Sequence, residues 1–266
     1  MIGKTRQSAR GILNPPPLEP RFRVSRRQPS AELAPLIEHY WMVSWDLRET
    51  HVQYTLPHPN VHVVFEANSS HAYGVVTGRF ARSVQGKSHV FGMRFAPGMF
   101  RPFLGSALSQ LTNLTKPVIE IFGDAVAPLE RVLTSEAAED ELVGAADRFL
   151  IPRIPARDEK AELAKDLVAL ILENRDVLTV EHLCCRCRIS KRTLERLFSE
   201  YVGVSPKWVI RRYRLQEAVE KLRSGESMDC AQLSVDLGYF DQAHLINDFK
   251  SIIGYTPAAF RGMHRL

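Results

Sequence analysis

At 266 residues the chain is long enough for two domains with separate cores. Its 45% hydrophobic and 24% charged content excludes a disordered chain, and no apolar run approaches the roughly 18–20 residues of a membrane span. The net charge of +5 is unevenly held: residues 1–30 carry seven Lys or Arg against Glu19, and residues 186–214 carry nine against Glu195 and Glu200.

The start, MIGKTRQSARGILNPPPLEPRFRVSRR, has charges but no apolar signal core, and residues 1–30 read as a flexible basic tail. From Ala31, AELAPLIEHYWMVSWDL supplies an apolar helix or strand. Short β-type runs follow, VQYTL, VHVVFE, AYGVVTG and SHVFGMRF, separated by Pro, Asn, Gly and Ser. PGMFRPFLG, with Pro97 near its start, reads as a short helix, as do residues 125–134 and 139–150. Residues 31–150 are thus expected to form a mixed, β-rich domain with helices. The prolines of IPRIPARD mark a linker over 151–157.

Within that domain the strand period of two puts His58, His62 and Glu66 on one face, opposite Val61, Val63 and Phe65. His/His/Glu sets do ligate metals. Residues four apart on a strand, however, stand about 13 Å apart, so His58 and Glu66 do not share an ion without a bend. The face is read as polar, either solvent-facing or pocket-lining, and no metal or cofactor is assigned. Arg94 and Arg101 flank FAPGMF. One reading is an anionic effector held in an apolar pocket, with His58, His62, Arg94, Phe95 and Met99 as effector-binding residues. The other is that one arginine is exposed and the other pairs with a carboxylate.

Residues 158–266 read as helical throughout and contain an internal repeat. LCCRCRISKRTLERLFSEYVGVSP, from Leu183 to Pro206, is matched by LSVDLGYFDQAHLINDFKSIIGYTP, from Leu233 to Pro257. Leu183 and Leu233 match at an offset of 50, and Leu194 and Leu245 at 51, so one extra residue falls in the turn of the second copy. Both copies read as helix, tight turn, helix. In the first, Leu194, Leu197, Phe198 and Tyr201 share one helical face, and Ser190 stands at the N-cap. In the second, Leu245, Phe249 and Ile252 form the inner face and Asp241 caps. Gly203 and Gly254 stop these helices, and Ser205-Pro206 and Thr256-Pro257 start the next. Between the copies, residues 206–223 form one amphipathic helix, with Arg211, Arg212 and Arg214 expected on its outside.

A helix of that length spans about 27 Å. Successive major-groove faces on one side of DNA lie about 34 Å apart. One chain is therefore expected to place two recognition helices in adjacent major grooves, with the basic stripe along the phosphates.

S-K-R-T-L-E-R-L-F-x4-G-x-S-P, R-L-x-x-A-x-x-x-L-R and G-Y-x-D-Q-A-H-L-x-x-D-F-K-x3-G-x-T-P-x-x-F-R together resemble the DNA-binding domain of AraC/XylS-family transcription regulators. The resemblance covers the chain from near Asp158 to Gly262. It implies an all-α domain with two helix–turn–helix units, and sequence-specific binding of double-stranded DNA to regulate, commonly to activate, transcription. Base contacts in such domains come from the exposed start of each recognition helix: here Lys191, Arg192, Glu195 and Arg196, then Gln242, Ala243, His244 and Asn247. Lys207, Arg211 and Arg212 of the basic stripe are expected at phosphates, and Lys250 is also assigned to DNA binding. The family usually has Arg in the place of Asn247, so the second unit is less basic than the first.

LPHPNVHVVFE, YGVVTGRF, VFGMRFAPGMFRPFLG and LTNLTKPVIEIFG resemble the domains that accompany this module. That likeness implies a cupin-like β-barrel for sensing or dimerisation, and with it a small-molecule effector, RNA polymerase and a second copy of the chain as partners. No Ser/His/Asp arrangement, P-loop or G-x-G-x-x-G appears, so no catalytic residue is assigned. A DNA-repair or cupin-type enzyme fused to the same module is the alternative. A repair nucleophile belongs in its own domain, whereas all four cysteines fall in the helical part. HLCCRCRIS (182–190) is therefore read as packing beneath the first recognition helix. The cysteine count fits a reducing cytoplasm, and the lack of a long apolar run leaves no membrane partner expected.

Overall fold

The computed structural model describes residues 13–14, 22–67, 69–224 and 230–263. Its first half is one antiparallel sheet backed by helices. The strands are β1 (Arg23–Arg27), β2 (Ile37–Thr55), β3 (His62–Phe65), β4 (His71–Tyr73), β5 (Phe80–Phe95) and β6 (Thr115–Pro117), in the order β1-β2-β5-β3-β4-β6. Among the described residues β1 and β6, at the two ends, do not pair, so the expected barrel is an open sheet wrapped around a cavity. Two expectations are corrected. Arg23–Arg27, placed in a flexible tail, form β1, and Leu13 is buried in a core. VQYTL and SHVFGMRF are the ends of two much longer strands, β2 and β5, which pair from Ile37/Phe95 to Thr55/Phe80.

The sheet obeys the period of two. Tyr40, Met42, Val61, Val63, Phe65, Phe91, Met93 and Phe95 face one core, closed by α1 (Arg101–Leu104), α2 (Val118–Phe122), α3 (Ala127–Leu133) and α4 (Glu139–Leu150). The alternate residues His39, Trp41, Val43, His62, Val64, Val90 and Arg94 line the cavity. The Tyr40 hydroxyl crosses the helix-side core to donate to Asp147 Oδ1 at 2.7 Å.

The second half is helical: α5 (Glu159–Glu173), α6 (Val180–Cys187), α7 (Lys191–Tyr201), α8 (Pro206–Arg223), α9 (Cys230–Asp236), α10 (Gln242–Ile253) and α11 (Pro257–Met263). The first half of α8 packs with α5, α6 and α7 in one core. Its second half packs with α9, α10 and α11 in another, which also takes in Leu13 and Leu56. The caps are as the sequence indicated. Ser190, Ser205, Asp241 and Thr256 accept from the backbone N–H of Thr193, Trp208, His244 and Ala259 at 3.2, 3.2, 2.7 and 3.2 Å. Each satisfies an amide that the helix itself leaves orphaned.

The sheet domain touches both helix–turn–helix units at the same place in the repeat. Gly203 (φ 91°) ends α7, and a Cβ there would stand 3.0 Å from Leu108 O. Thr112 Oγ1 donates to its carbonyl. Gly254 (φ 85°) ends α10, and a Cβ there would stand 2.7 Å from the Arg79 guanidinium, which lies over Tyr54 and Tyr255. Both positions thus need glycine for the left-handed turn and for the close approach of the other domain.

Candidate nucleic-acid interface and the pocket behind it

On α7 the apolar stripe Leu194, Leu197, Phe198 and Tyr201 is buried, which turns Lys191, Arg192, Glu195 and Arg196 outward into solvent. Lys191 Nζ lies 3.1 Å from Glu181 Oε1. The turn before α7 is made by Arg188, a non-glycine residue at φ 54°, where the second copy has Gly238 at φ 66°. On α10 the same logic buries Leu245, Phe249 and Ile252 and exposes Gln242, Ala243, His244, Asn247 and Lys250.

The connecting helix differs from expectation. Lys207 is exposed, but the three arginines are turned inward by what packs on the helix. Arg211 pairs with Asp248 at 2.8 Å and bonds Ser251. Arg214 donates to Leu237 O at 2.7 Å and lies 3.9 Å over the Tyr239 ring. Arg212, assigned to phosphate from sequence, is fully buried. It donates to Pro57 O (2.7 Å), His58 Nδ1 (2.9 Å) and Gln216, with its guanidinium over Tyr213. A side chain so enclosed does not reach DNA.

Behind this helix the sheet encloses a cavity of about 260 Å³. Phe22, Trp41, Trp45, Tyr73 and Phe80 supply its aromatic walls, and Arg26, Arg82 and Arg94 its cations. His58, His62 and Glu66 do share this face. Each is already engaged: His62 Nδ1 accepts from Trp41 Nε1 at 3.2 Å, Glu66 pairs with Arg82, and His58 meets Arg94 and Arg212. Pairing sets His39, Arg94, His62 and Tyr73 in one row across four strands. In the next row Gly92 lies beneath the Trp41 indole, where a Cβ would meet Cε2 at 2.0 Å. Arg94 lines the cavity as expected; Phe95 and Met99 do not. Phe95 faces the helix-side core, and Met99 packs between that core and the one around α5. Both flanking arginines pair with carboxylates, Arg94 with Glu38 (2.7 Å) and Arg101 with Glu200 across the domains (3.0 Å).

Burial, with Arg94 and Arg26 close by, pushes His39 down to about 3 and holds His62 well below the usual imidazole range. Burial, Arg94 and Arg212 do the same to His58. All three are therefore neutral near pH 7, held so by burial first and by the neighbouring arginines second. Arg212 is lowered to about 10 by burial and stays charged.

Among the cysteines, Cys184 and Cys187 pack against the core under α7, and Cys185 is exposed. Burial raises the Cys184 and Cys187 thiols above their ordinary value, so they stay protonated.

A model of the helix-turn-helix domain matches residues 183–263, and a model of a domain of unknown function, DUF6597, matches residues 25–117. The HTH-type transcriptional regulator ArgR of Pseudomonas aeruginosa is 25% identical over 157 residues, which is 54% of this chain and 47% of that protein. An uncharacterized HTH-type transcriptional regulator of Haemophilus influenzae is 25% identical over 95 residues, 36% of this chain and 32% of that one. The chain thus spans about a third to a half of the length of these relatives. Among solved structures, ToxT from Vibrio cholerae aligns over 91% of this chain and 98% of its own at 12% identity, with a TM-score of 0.38. The AraC-like activator CuxR aligns over 74% and 94% at 16% identity, with a TM-score of 0.23.

Proposed function

From a C-terminal domain that is a double helix–turn–helix of the AraC type, we infer that the protein is a one-component regulator of transcription that binds double-stranded DNA by sequence. The observation that carries this is the pair of capped recognition helices, α7 and α10, with polar outer faces, in units whose cores take the first and second halves of one 18-residue helix. Arg192 and Arg196 are suited to guanine edges, Glu195 to cytosine, and Gln242 and Asn247 to adenine. Lys191 adds to the first reading face, Ala243 and His244 complete the second, and Lys207 and Lys250 serve the phosphates. In this reading the protein works in the cytoplasm, where its DNA lies. Among the described residues no helix is long and apolar enough to cross a membrane.

The sheet domain is the sensor in this reading. A small effector with an apolar or aromatic body enters the cavity beside Arg94 and His58. His58 lines the cavity and also bonds Arg212 of α8, so occupancy is felt by the helix that spaces the two units. Contact with RNA polymerase follows from an activating role, and a second copy of the chain is the remaining proposed partner. Selection of bound DNA from a random library by the full chain tests the reading. It should return one sequence with two half-sites, and Arg196→Ala should weaken that sequence by about 1–3 kcal/mol while sparing random DNA. No enrichment of any sequence would refute it.

A further inference from the structure

We propose that the two units read half-sites of different base chemistry, guanine and cytosine under α7 and adenine and thymine under α10, with Phe240 packing on a thymine methyl. This rests on the reading of the protein as a sequence-specific DNA binder and adds what kind of sequence each unit takes.

The outer faces of the two recognition helices differ in chemistry. On α7, Arg192 and Arg196 stand one turn apart, both exposed, with Glu195 between them. A guanidinium fork matches guanine O6 and N7, and a carboxylate accepts from cytosine N4. On α10 the first two turns present Gln242, Ala243, His244 and Asn247, with no cation until Lys250 in the last turn. The cation beside this helix, Arg211, is held 2.8 Å from Asp248. Two carboxamides pair best with adenine N6 and N7.

Phe240 supplies the apolar half of the argument. Its side chain is 93% exposed, immediately before the Asp241 cap of α10. The repeat explains why it is there. Ile189 N bonds Cys184 O at 3.1 Å in the first unit, and Tyr239 N bonds Ser234 O at 2.8 Å in the second, both at an offset of 50. Tyr239 is therefore the counterpart of Ile189, and both pack inward. The caps Ser190 and Asp241 differ by 51, so Phe240 is the extra residue of the second turn, without a counterpart in the first. It is not part of the fold's own packing: Tyr239 and Leu245 on either side are buried, while the ring stands in water at the tip of the helix that enters the groove. The thymine C5-methyl is the apolar group that the major groove offers, and Phe240 and Ala243 are the apolar groups placed to meet it.

The test uses the full chain and the operator recovered by selection. The half-site whose guanine preference is lost in Arg196→Ala belongs to α7; the other belongs to α10. Each thymine of that second half-site is replaced in turn by deoxyuridine, which removes only the methyl. At one or two positions the unmodified protein should lose affinity about fourfold, the worth of one buried methyl. Phe240→Ala should lose less than about twofold at those positions, as expected when the partner is already gone, and Phe240→Leu should keep the sensitivity. Deoxyuridine losses that are equal in the wild type and Phe240→Ala, an absence of any loss, or a guanine- and cytosine-rich second half-site would each overturn the proposal. Failure of the whole chain to select any sequence would instead overturn the DNA-binding reading beneath it.

Discussion

Arg94 of the sheet and Arg212 of the connecting helix direct their Nη2 atoms at the same nitrogen, His58 Nδ1, at 3.1 and 2.9 Å. One acceptor shared by two guanidiniums requires a neutral imidazole with its proton on Nε2. Arg94 has Glu38 as counter-ion. Among the described residues no carboxylate lies within 4 Å of the Arg212 guanidinium. The connecting helix therefore carries a buried cation whose direct partners are the Pro57 carbonyl, the Gln216 amide and the His58 imidazole, and the last of these lines the cavity. Anything that moves His58 changes the solvation of Arg212, which is how the cavity is proposed to reach the DNA-binding domain.

Stability should fall on mild acidification. His39, His58 and His62 have folded pKa values below the ordinary imidazole value of about 6.5, so the unfolded chain takes up protons first. Their contribution is whole above about pH 7 and is lost as the pH falls through 6.5 towards the folded values. Each histidine gives a slope of up to about 1.4 kcal/mol per pH unit in that window. Urea unfolding at pH 7.5 and pH 5.5 measures it, and His62→Gln should show a shallower decline than the wild type.

Salt dependence should separate the cations of the basic stripe. Lys207 is exposed at the start of α8 and is proposed at a phosphate, so Lys207→Ala should lower the slope of log K against log salt by about 1. Arg212→Met should leave that slope unchanged because the guanidinium is enclosed. Arg212→Met leaves Pro57 O, His58 Nδ1 and Gln216 without their donor, so it should cost stability, and the slope is read where the variant is still folded. An Arg212→Met slope as low as that of Lys207→Ala would return Arg212 to the phosphate contacts.

The turn of the first unit stores strain. Arg188 adopts φ 54° where the second unit uses Gly238. Relieving a left-handed non-glycine residue gains about 1 kcal/mol, so Arg188→Gly should raise the thermal midpoint. A lowered midpoint would mean that the arginine side chain supports the turn.

Much of this architecture is legible in the chain. The repeat, the four caps and the terminating glycines are local signals, and α7, α8 and α10 form where they indicate. The inward turn of Arg211, Arg212 and Arg214 is not local. It depends on Asp248, Leu237 and Pro57, which are brought against α8 from 23 to 155 residues away in sequence. The long β2–β5 hairpin is obscured because its outer halves, around Arg48–Thr50 and Ala81–Lys87, are polar and mostly exposed, which hides the period of two. The same period, carried from His62 to Arg94 by strand register, was the available signal that Phe95 faces away from the cavity. The extra residue in the second turn is visible in the repeat, but only its exposure marks Phe240 as a contact.

Hydroxyl-radical footprinting of the full chain on its selected operator tests the central claim most directly. Two recognition helices joined by one rigid helix should protect two clusters of sugars on one face of the duplex, about 10 base pairs apart. Arg196→Ala should weaken one cluster and Asn247→Ala the other. A single protected cluster, or uniform protection without phase, would contradict the account.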